Sequence, residues 1–198
     1  AARLTAAQTL SREVTPALIE LGFPSAAYSA AVASSALDES GADAVTFLLA
    51  PNPGEPARPL ARIASGGEMS RVALAIKTVL ARADETPTLI FDEVDAGIGG
   101  RSADPVGRML WRLARDHQVV CVTHLPQIAA YADSHLRIEK LERDGRTVTQ
   151  IEQLDQPGRR TELAHMLGGP SGASAAIAAA DALLDAAASA RAAEGAAA

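Results

Sequence analysis

The chain has 198 residues, 48% of them hydrophobic and 21% charged, so it should fold rather than stay disordered, and its length suits one domain or one and a half. The first residues lack the layout of a signal peptide, no apolar run approaches the roughly 20 residues that cross a bilayer, and Cys121 is the only cysteine, so a cytoplasmic protein is expected. The net charge of −6, with Lys77 and Lys140 as the only lysines, argues against a broad basic surface for a nucleic acid backbone.

Hydrophobic spacing predicts the elements of the first part of the chain. They are a helix over 3–21, strands over 26–34 and 44–50, a proline-rich loop over 51–59 and a helix over 65–83. Pro16 is expected to kink or split the first helix. That helix fits either an ordinary amphipathic helix or the end of a longer coiled coil, because it is too short to show sustained heptads.

The second part of the chain alternates strands and helices. The predicted elements are a strand over 88–91, a helix over 105–115, a strand over 118–124, a short helix over 125–132, a hairpin over 134–154 turning at Asp144-Gly145, a helix over 159–167, a Gly-Gly-Pro break, and an alanine-rich helix that frays after Arg191. Asp104 is the predicted N-cap of helix 105–115, with Pro105 at its first position. The apolar runs of strands 88–91 and 118–124 predict strands buried on both faces. This order predicts an α/β fold with a mostly parallel sheet covered by helices.

Three carboxylates follow the first of these buried strands. Asp92, Glu93 and Asp95 come directly after the run "TLIF" and before several glycines. Buried charge needs a metal ion or a cationic partner, and a strand-end carboxylate commonly holds Mg²⁺ through water. A second carboxylate beside it can orient or deprotonate an attacking water. An acidic loop that only caps the strand is the alternative.

The segment "SGGE" opens the helix over 65–83. Ser65, Gly66 and Gly67 lie where unpaired N–H groups and the helix macrodipole favour a phosphate, and glycines allow its close approach. The alternative is a plain capping box, in which Ser65 and Glu68 satisfy each other's backbone N–H groups.

His124 ends the strand predicted to neighbour the Asp-Glu strand. Because ligands gather at the carboxyl ends of parallel strands, its imidazole could donate to a terminal phosphate. A single histidine is otherwise more often structural, and Thr123 and Gln127 have weaker claims to a role.

In chain order these features resemble the C-terminal half of an ATP-binding-cassette ATPase: signature motif, Walker B motif, D-loop and switch histidine. The segments "IASGGEMSRVALAIK", "TLIFDEVDAGIGG", "VGRML", "VCVTHLPQIAAYAD" and "LGG" are similar to RecN, a bacterial family of DNA repair ATPases related to SMC proteins. The resemblance runs from about Leu21 to Gly169. It implies the end of a coiled-coil helix over 1–22, the C-terminal half of an ATPase head over 23–170, and a C-terminal helix over 171–198.

The resemblance also implies roles for these residues, with ATP and Mg²⁺ as cofactors. Asp92 would hold Mg²⁺ through water, Glu93 would be the general base, and His124 would contact the terminal phosphate. The remaining residues would act at the head–head interface: Ser65, Gly66, Gly67 and Glu68 on the nucleotide of a second copy, with Asp95 and Gly97 coupling the two sites. The implied partners are the N-terminal half of the same head, a second copy, and DNA, with its ends favoured; no membrane partner is implied.

The sequence departs from the family pattern in several places. It contains no GxxxxGK[ST] segment and no glutamine loop, so the chain alone is expected to be inactive and to be part of a longer protein. Ala64 and Glu68 stand where transporters have Leu and Gln, and Gly99-Gly100 stands where Ser-Gly is expected. Another SMC or transporter-type head, and a non-enzymatic dimerisation or tethering lobe, remain the alternatives.

Overall fold

The computed structural model describes residues 1–52, 54–62, 65–143, 145–169 and 173–196, and the chain divides into two compact units. The first, Ala1–Val122, contains α1 (Ala2–Glu20), β1 (Ala27–Asp38), β2 (Gly41–Ala50), β3 (Arg58–Pro59), a 3₁₀ turn (Leu60–Arg62), α2 (Gly66–Leu80), β4 (Thr88–Phe91), α3 (Gly100–Leu113) and β5 (Gln118–Cys121). The second, Thr123–Ala198, contains α4 (Pro126–Ala129), β6 (Leu136–Arg143), β7 (Arg146–Gln153), α5 (Gln156–Met166) and α6 (Ser174–Gly195). Within the described ranges, no helix has the length and apolar character that a membrane span requires.

The helix α1 continues through Pro16, so the predicted split at this residue is wrong. A proline inside a helix removes one backbone hydrogen bond and crowds the preceding turn. Val14 and Leu18, on either side of Pro16, are fully buried. Their packing offsets the local cost of the proline, which explains why the helix does not end there.

Two hydroxyl groups of α1 cover the open edge of β1. The Oγ of Ser11 accepts a hydrogen bond from the Ala30 N–H at 3.0 Å, and the Oγ1 of Thr15 accepts one from the Tyr28 N–H at 3.3 Å. The other edge of β1 pairs antiparallel with β2, which in turn pairs with the short strand β3. The strand β3 lies inside the predicted proline-rich loop. Since exposed strand edges invite pairing with other chains, α1 protects this small sheet.

The strands β4 and β5 form a parallel pair, as the sequence predicts, with Phe91 aligned to Cys121. The other two sheets are antiparallel. Burial in the parallel pair alternates: Leu89 and Phe91 are buried, whereas Ile90 is 72% exposed and Val120 is 44% exposed. The prediction that both faces are buried is therefore wrong for this chain. The helices supply cover for only one face of the pair.

The helix α3 begins earlier than predicted. Its N-cap is Gly99 and its first residue is Gly100, so Asp104 is not the N-cap and Pro105 lies inside the helix. Asp104 instead forms an ion pair with Arg108 at 2.9 Å. The added turn places Ala103 in the core beside Val106, and both are fully buried. Burial of this face outweighs the local signal of an Asp-Pro helix start.

The second unit contains the hairpin β6–β7 and the three helices α4, α5 and α6. Arg143 aligns with Arg146 at the end of the hairpin, and Gly145 has a positive φ of 71°. The predicted turn residue Asp144 lies outside the described residues. The buried guanidinium of Arg159 on α5 donates to the carbonyl oxygens of Ala129 and Ala130 at the end of α4, at 3.1 and 2.8 Å. This interaction satisfies backbone carbonyls that a helix end leaves unpaired.

Candidate functional site

The segment Asp92–Gly97, here called the carboxylate turn, leaves β4 abruptly. The Oδ1 of Asp92 accepts a hydrogen bond from the Glu93 N–H at 2.9 Å. Glu93 has φ of 57°, and it is the only described residue other than glycine with a positive φ. Asp92 and Glu93 are exposed, whereas Asp95 is 4% exposed. A left-handed non-glycine residue costs free energy, so this backbone geometry has to be held by its surroundings.

The helix α2 begins where the sequence predicts a helix start. Ser65 is the N-cap, and its Oγ accepts a hydrogen bond from the Glu68 N–H at 3.4 Å. Ser65 and Gly66 are exposed, Gly67 is buried and Glu68 is half-buried. The preceding residue, Ala64, lies outside the described residues. The start of α2 is therefore capped and open to contact from outside the chain.

The start of α2 lies directly against the carboxylate turn. A Cβ atom placed on Gly66 would be 2.6 Å from the Oε2 of Glu93. A Cβ atom on Gly67 would be 2.7 Å from both the Cβ and the carbonyl oxygen of Ala96. The Glu93 side chain can move away from a methyl group on Gly66, but the backbone of Ala96 cannot move away from one on Gly67, so Gly67 permits the close approach of helix and turn. The structure thus brings together two segments that are 22 or more residues apart in the sequence.

Two further residues of α2 fasten the carboxylate turn. The Ser70 hydroxyl donates to the Asp92 carbonyl oxygen at 2.8 Å. The Arg71 Nη1 donates to the carbonyl oxygens of Ala96 and Val94, at 2.8 and 3.4 Å. Sequence reasoning missed both residues. The available signal was the spacing of Arg71, which lies on the apolar face of α2, four residues after Gly67 and three before the buried Leu74.

The ends of β4 and β5 lie side by side. The Val122 N–H donates to the Phe91 carbonyl oxygen at 2.9 Å, which extends the pairing one residue beyond the strands. Burial raises the pKa of the Cys121 thiol to about 12, and the negative charges of Asp95 and Asp92 act in the same direction. Two carboxylates of the turn therefore lie near the end of the neighbouring strand.

His124 belongs to the second unit and is exposed. The strand β5 ends at Cys121 rather than at His124, because the Oγ1 of Thr123 accepts the Leu125 N–H at 3.0 Å and starts a turn. The helix α4 follows at Pro126. The proximity of His124 to the carboxylate turn stays a prediction.

The carboxylate turn could hold a magnesium ion whose remaining ligands are waters and substrate phosphates. Across the described part of the chain, no cluster of three or more His, Cys, Asp or Glu side chains is arranged to hold a metal. Mg²⁺ in phosphate-transfer sites commonly takes one or two carboxylates together with waters and substrate phosphates. The exposed carboxylate of Asp92, with Oδ1 held by the Glu93 N–H, fits this single-carboxylate mode.

The packing at Gly67 predicts that Gly67→Ala destabilises the chain. The added methyl group would meet the Ala96 carbonyl oxygen, so the free energy of unfolding should fall by about 1–2 kcal/mol despite the better helix propensity of alanine. Gly66→Ala is the matched control, because its methyl group meets only the mobile end of Glu93. Urea unfolding followed by circular dichroism would measure both. Equal midpoints for the two variants would contradict the packing argument.

Comparison with known proteins shows close relatives. The DNA repair protein RecN of Streptomyces coelicolor is 46% identical over 197 residues, which cover 93% of this chain and 34% of that relative. RecN of Xylella fastidiosa is 54% identical over 130 residues, 66% of this chain and 23% of that relative. The chain thus spans about a third or less of the length of these relatives. No protein-family model matches it.

Solved structures identify the fold. The Smc head domain with a coiled coil and joint from Pyrococcus yayanosii has a TM-score of 0.60 and 22% identity, covering 82% of this chain and 29% of that chain. A second structure, from work on the ATP-driven dimerization and DNA-stimulated activation of SMC ATPases, has a TM-score of 0.52 and 19% identity, covering 86% of this chain and 98% of that chain.

The chain has an α/β fold similar to that of solved SMC head domains. This confirms the fold class that the sequence predicts. The chain belongs to the RecN family of DNA repair proteins. The family identification from the motifs is confirmed as well.

Proposed function

We propose that the chain supplies one half of a composite ATP-hydrolysing site in a DNA repair protein. The observation that carries the proposal is the contact between the start of α2 and the carboxylate turn, where Gly66 lies against Glu93 and Gly67 lies against Ala96. This contact joins an exposed, capped helix start to exposed carboxylates at the end of a parallel strand. Helix starts favour phosphates, and strand-end carboxylates favour Mg²⁺.

The exposed carboxylate turn supports the roles proposed for Asp92 and Glu93 within one head. Asp92 would hold Mg²⁺ through water, and the ion, when bound, would neutralise charge on the phosphates of ATP. Glu93 would accept a proton from the attacking water as general base. The exposed His124 would contact the terminal phosphate of the same nucleotide. Adjacent side chains on a strand point to opposite faces of the sheet. The left-handed backbone at Glu93 ends this alternation, which supports separate roles for Asp92 and Glu93 at one site.

The start of α2 would act on the nucleotide of a second copy. Ser65 and Gly66 are exposed, so a facing subunit can reach the Ser65 hydroxyl and the N–H groups of the first turn. Gly67 and Glu68 complete this first turn, and Asp95 and Gly97 would couple the two sites. ATP bound between two heads would stabilise their association, and hydrolysis would release them.

The missing parts of the site would come from the N-terminal half of the same head. The chain has no phosphate-binding loop of the GxxxxGK[ST] type. The exposed apolar row of Ile90, Val120 and Val122, at 72%, 44% and 52% exposure, supports a covering partner on the parallel strands. The proposed organisation is a coiled-coil end over 1–22, the half-head over 23–170 and a terminal helix over 171–198. The assembled protein would engage DNA ends in the cytoplasm, at the nucleoid.

A comparison of two purified proteins tests the proposal. The 198-residue chain alone should release no phosphate from ATP, because it lacks the phosphate-binding loop, whereas the full-length protein that contains it should hydrolyse ATP with Mg²⁺. Turnover by the chain alone would place the site elsewhere. A full-length protein that dimerises without turnover would favour the non-enzymatic tethering lobe.

A further inference from the structure

Arg71 is the one cation of α2 that points into the core rather than toward solvent or an acidic side chain. It is 6% exposed, and burial lowers the pKa of its guanidinium. Burying a charged side chain costs free energy of desolvation, which its hydrogen bonds must offset. In Arg71 these bonds run to the backbone of the carboxylate turn, at the carbonyl oxygens of Val94 and Ala96.

The position of the guanidinium is fixed from two sides. Its Cζ lies 5.3 Å from the ring centroid of Phe23, a residue that is 7% exposed and follows α1. A planar guanidinium can stack on a ring and donate from its edge at the same time, which an ammonium group cannot do. The Arg71 guanidinium thus lies over the ring of Phe23 while its Nη1 donates to the turn.

We propose that Arg71 is a positioning residue of the composite site, one that locks the carboxylate turn to α2. This inference rests on the proposed function and adds to it. With Arg71 in place, the start of α2 and the turn with Asp95 and Gly97 form a single body. The two groups that would face the second copy therefore approach its nucleotide together. Without Arg71, the turn that follows the left-handed residue Glu93 loses two hydrogen bonds, at the carbonyl oxygens of Val94 and Ala96.

The activity test uses the full-length protein with Arg71→Met and Arg71→Lys. Arg71→Met should lower kcat for ATP at least tenfold and weaken ATP-driven dimerisation, while each head binds nucleotide within about twofold of wild type. Arg71→Lys should restore part of kcat, because lysine keeps the charge but lacks the planar guanidinium that lies over Phe23. Lys77→Met is the matched control: Lys77 is a cation of the same helix but pairs with Asp84, so its kcat should stay within about twofold.

A second measurement does not depend on activity. Hydrogen–deuterium exchange of residues 92–98 reports the turn, whose Ala96 and Ile98 N–H groups donate to the carbonyl oxygens of Glu93 and Asp95. Arg71→Met should speed this exchange at least tenfold, and Lys77→Met should not. Unchanged exchange and unchanged kcat in Arg71→Met, measured below its melting temperature, would overturn the inference. If Arg71→Met speeds exchange of the turn but the wild-type full-length protein has no ATPase activity, the role of Arg71 in the turn is upheld and the proposed function is rejected.

If Arg71→Met does not fold, Arg71→Lys decides the question. In Arg71→Lys, the backbone amides of the turn should exchange at least about threefold faster than in the wild-type protein, and kcat should fall by a similar factor. Wild-type values for both would show that the geometry of the guanidinium has no part in positioning the site.

Discussion

Glu93→Gln in the full-length protein should bind ATP and dimerise on it, yet turn it over roughly 10²- to 10⁴-fold more slowly, the usual contribution of a general base. Glutamine has nearly the shape of glutamate, so the approach of its side chain to Gly66 should be kept. It cannot accept a proton from water at neutral pH. Single-turnover measurement of phosphate release, together with nucleotide binding, would separate the loss of chemistry from a loss of affinity.

The matched control for this variant is Glu85→Gln. Glu85 is an exposed carboxylate that precedes β4, at the opposite end of the strand from the turn, and its loss should leave turnover unchanged. If Glu93→Gln hydrolyses ATP at the wild-type rate, another group is the base. His124 would then be the next residue to examine.

Ser65→Arg should abolish ATP-driven pairing of heads while leaving nucleotide binding by each head intact. Ser65 is exposed at the start of α2, and an arginine there would place a bulky cation at the proposed contact with the other copy. It would also remove an N-cap, which costs about 1 kcal/mol of stability. Light scattering with and without ATP would measure the pairing.

Ser35→Arg is the control for added size and charge, because Ser35 is an exposed serine on β1, away from the helix start. It should dimerise as wild type does. If Ser65→Arg dimerises at the same ATP concentration as the wild-type protein, the start of α2 is not part of the head–head interface.

Local signals were sufficient for the elements that carry the candidate site. The Ser-Gly-Gly-Glu segment predicted a capped helix, and Ser65 is the N-cap of α2. The apolar run before Asp92 predicted β4, and β4 ends at Phe91. Capping and strand patterns depend on neighbouring residues, which a single sequence displays fully.

Features that depend on packing between residues far apart in the sequence could not be predicted from local patterns. The Asp104-Pro105 pair is a strong local start signal, yet burial of Ala103 and Val106 extends α3 to Gly100. An apolar run cannot reveal whether a second layer covers it, so the exposure of Ile90 was not predicted. The hydrogen bonds of Arg71 join residues 23 and 25 positions apart, and no sequence periodicity encodes such a contact.

The protonated thiol of Cys121 has a practical consequence. With a pKa near 12 and a half-buried side chain, it carries almost no thiolate at neutral pH and reacts slowly with maleimides. A cysteine introduced on an exposed surface of this chain can therefore carry a fluorophore while the native cysteine stays in place. The approach of two such labelled heads on adding ATP could then be followed by energy transfer without altering the core.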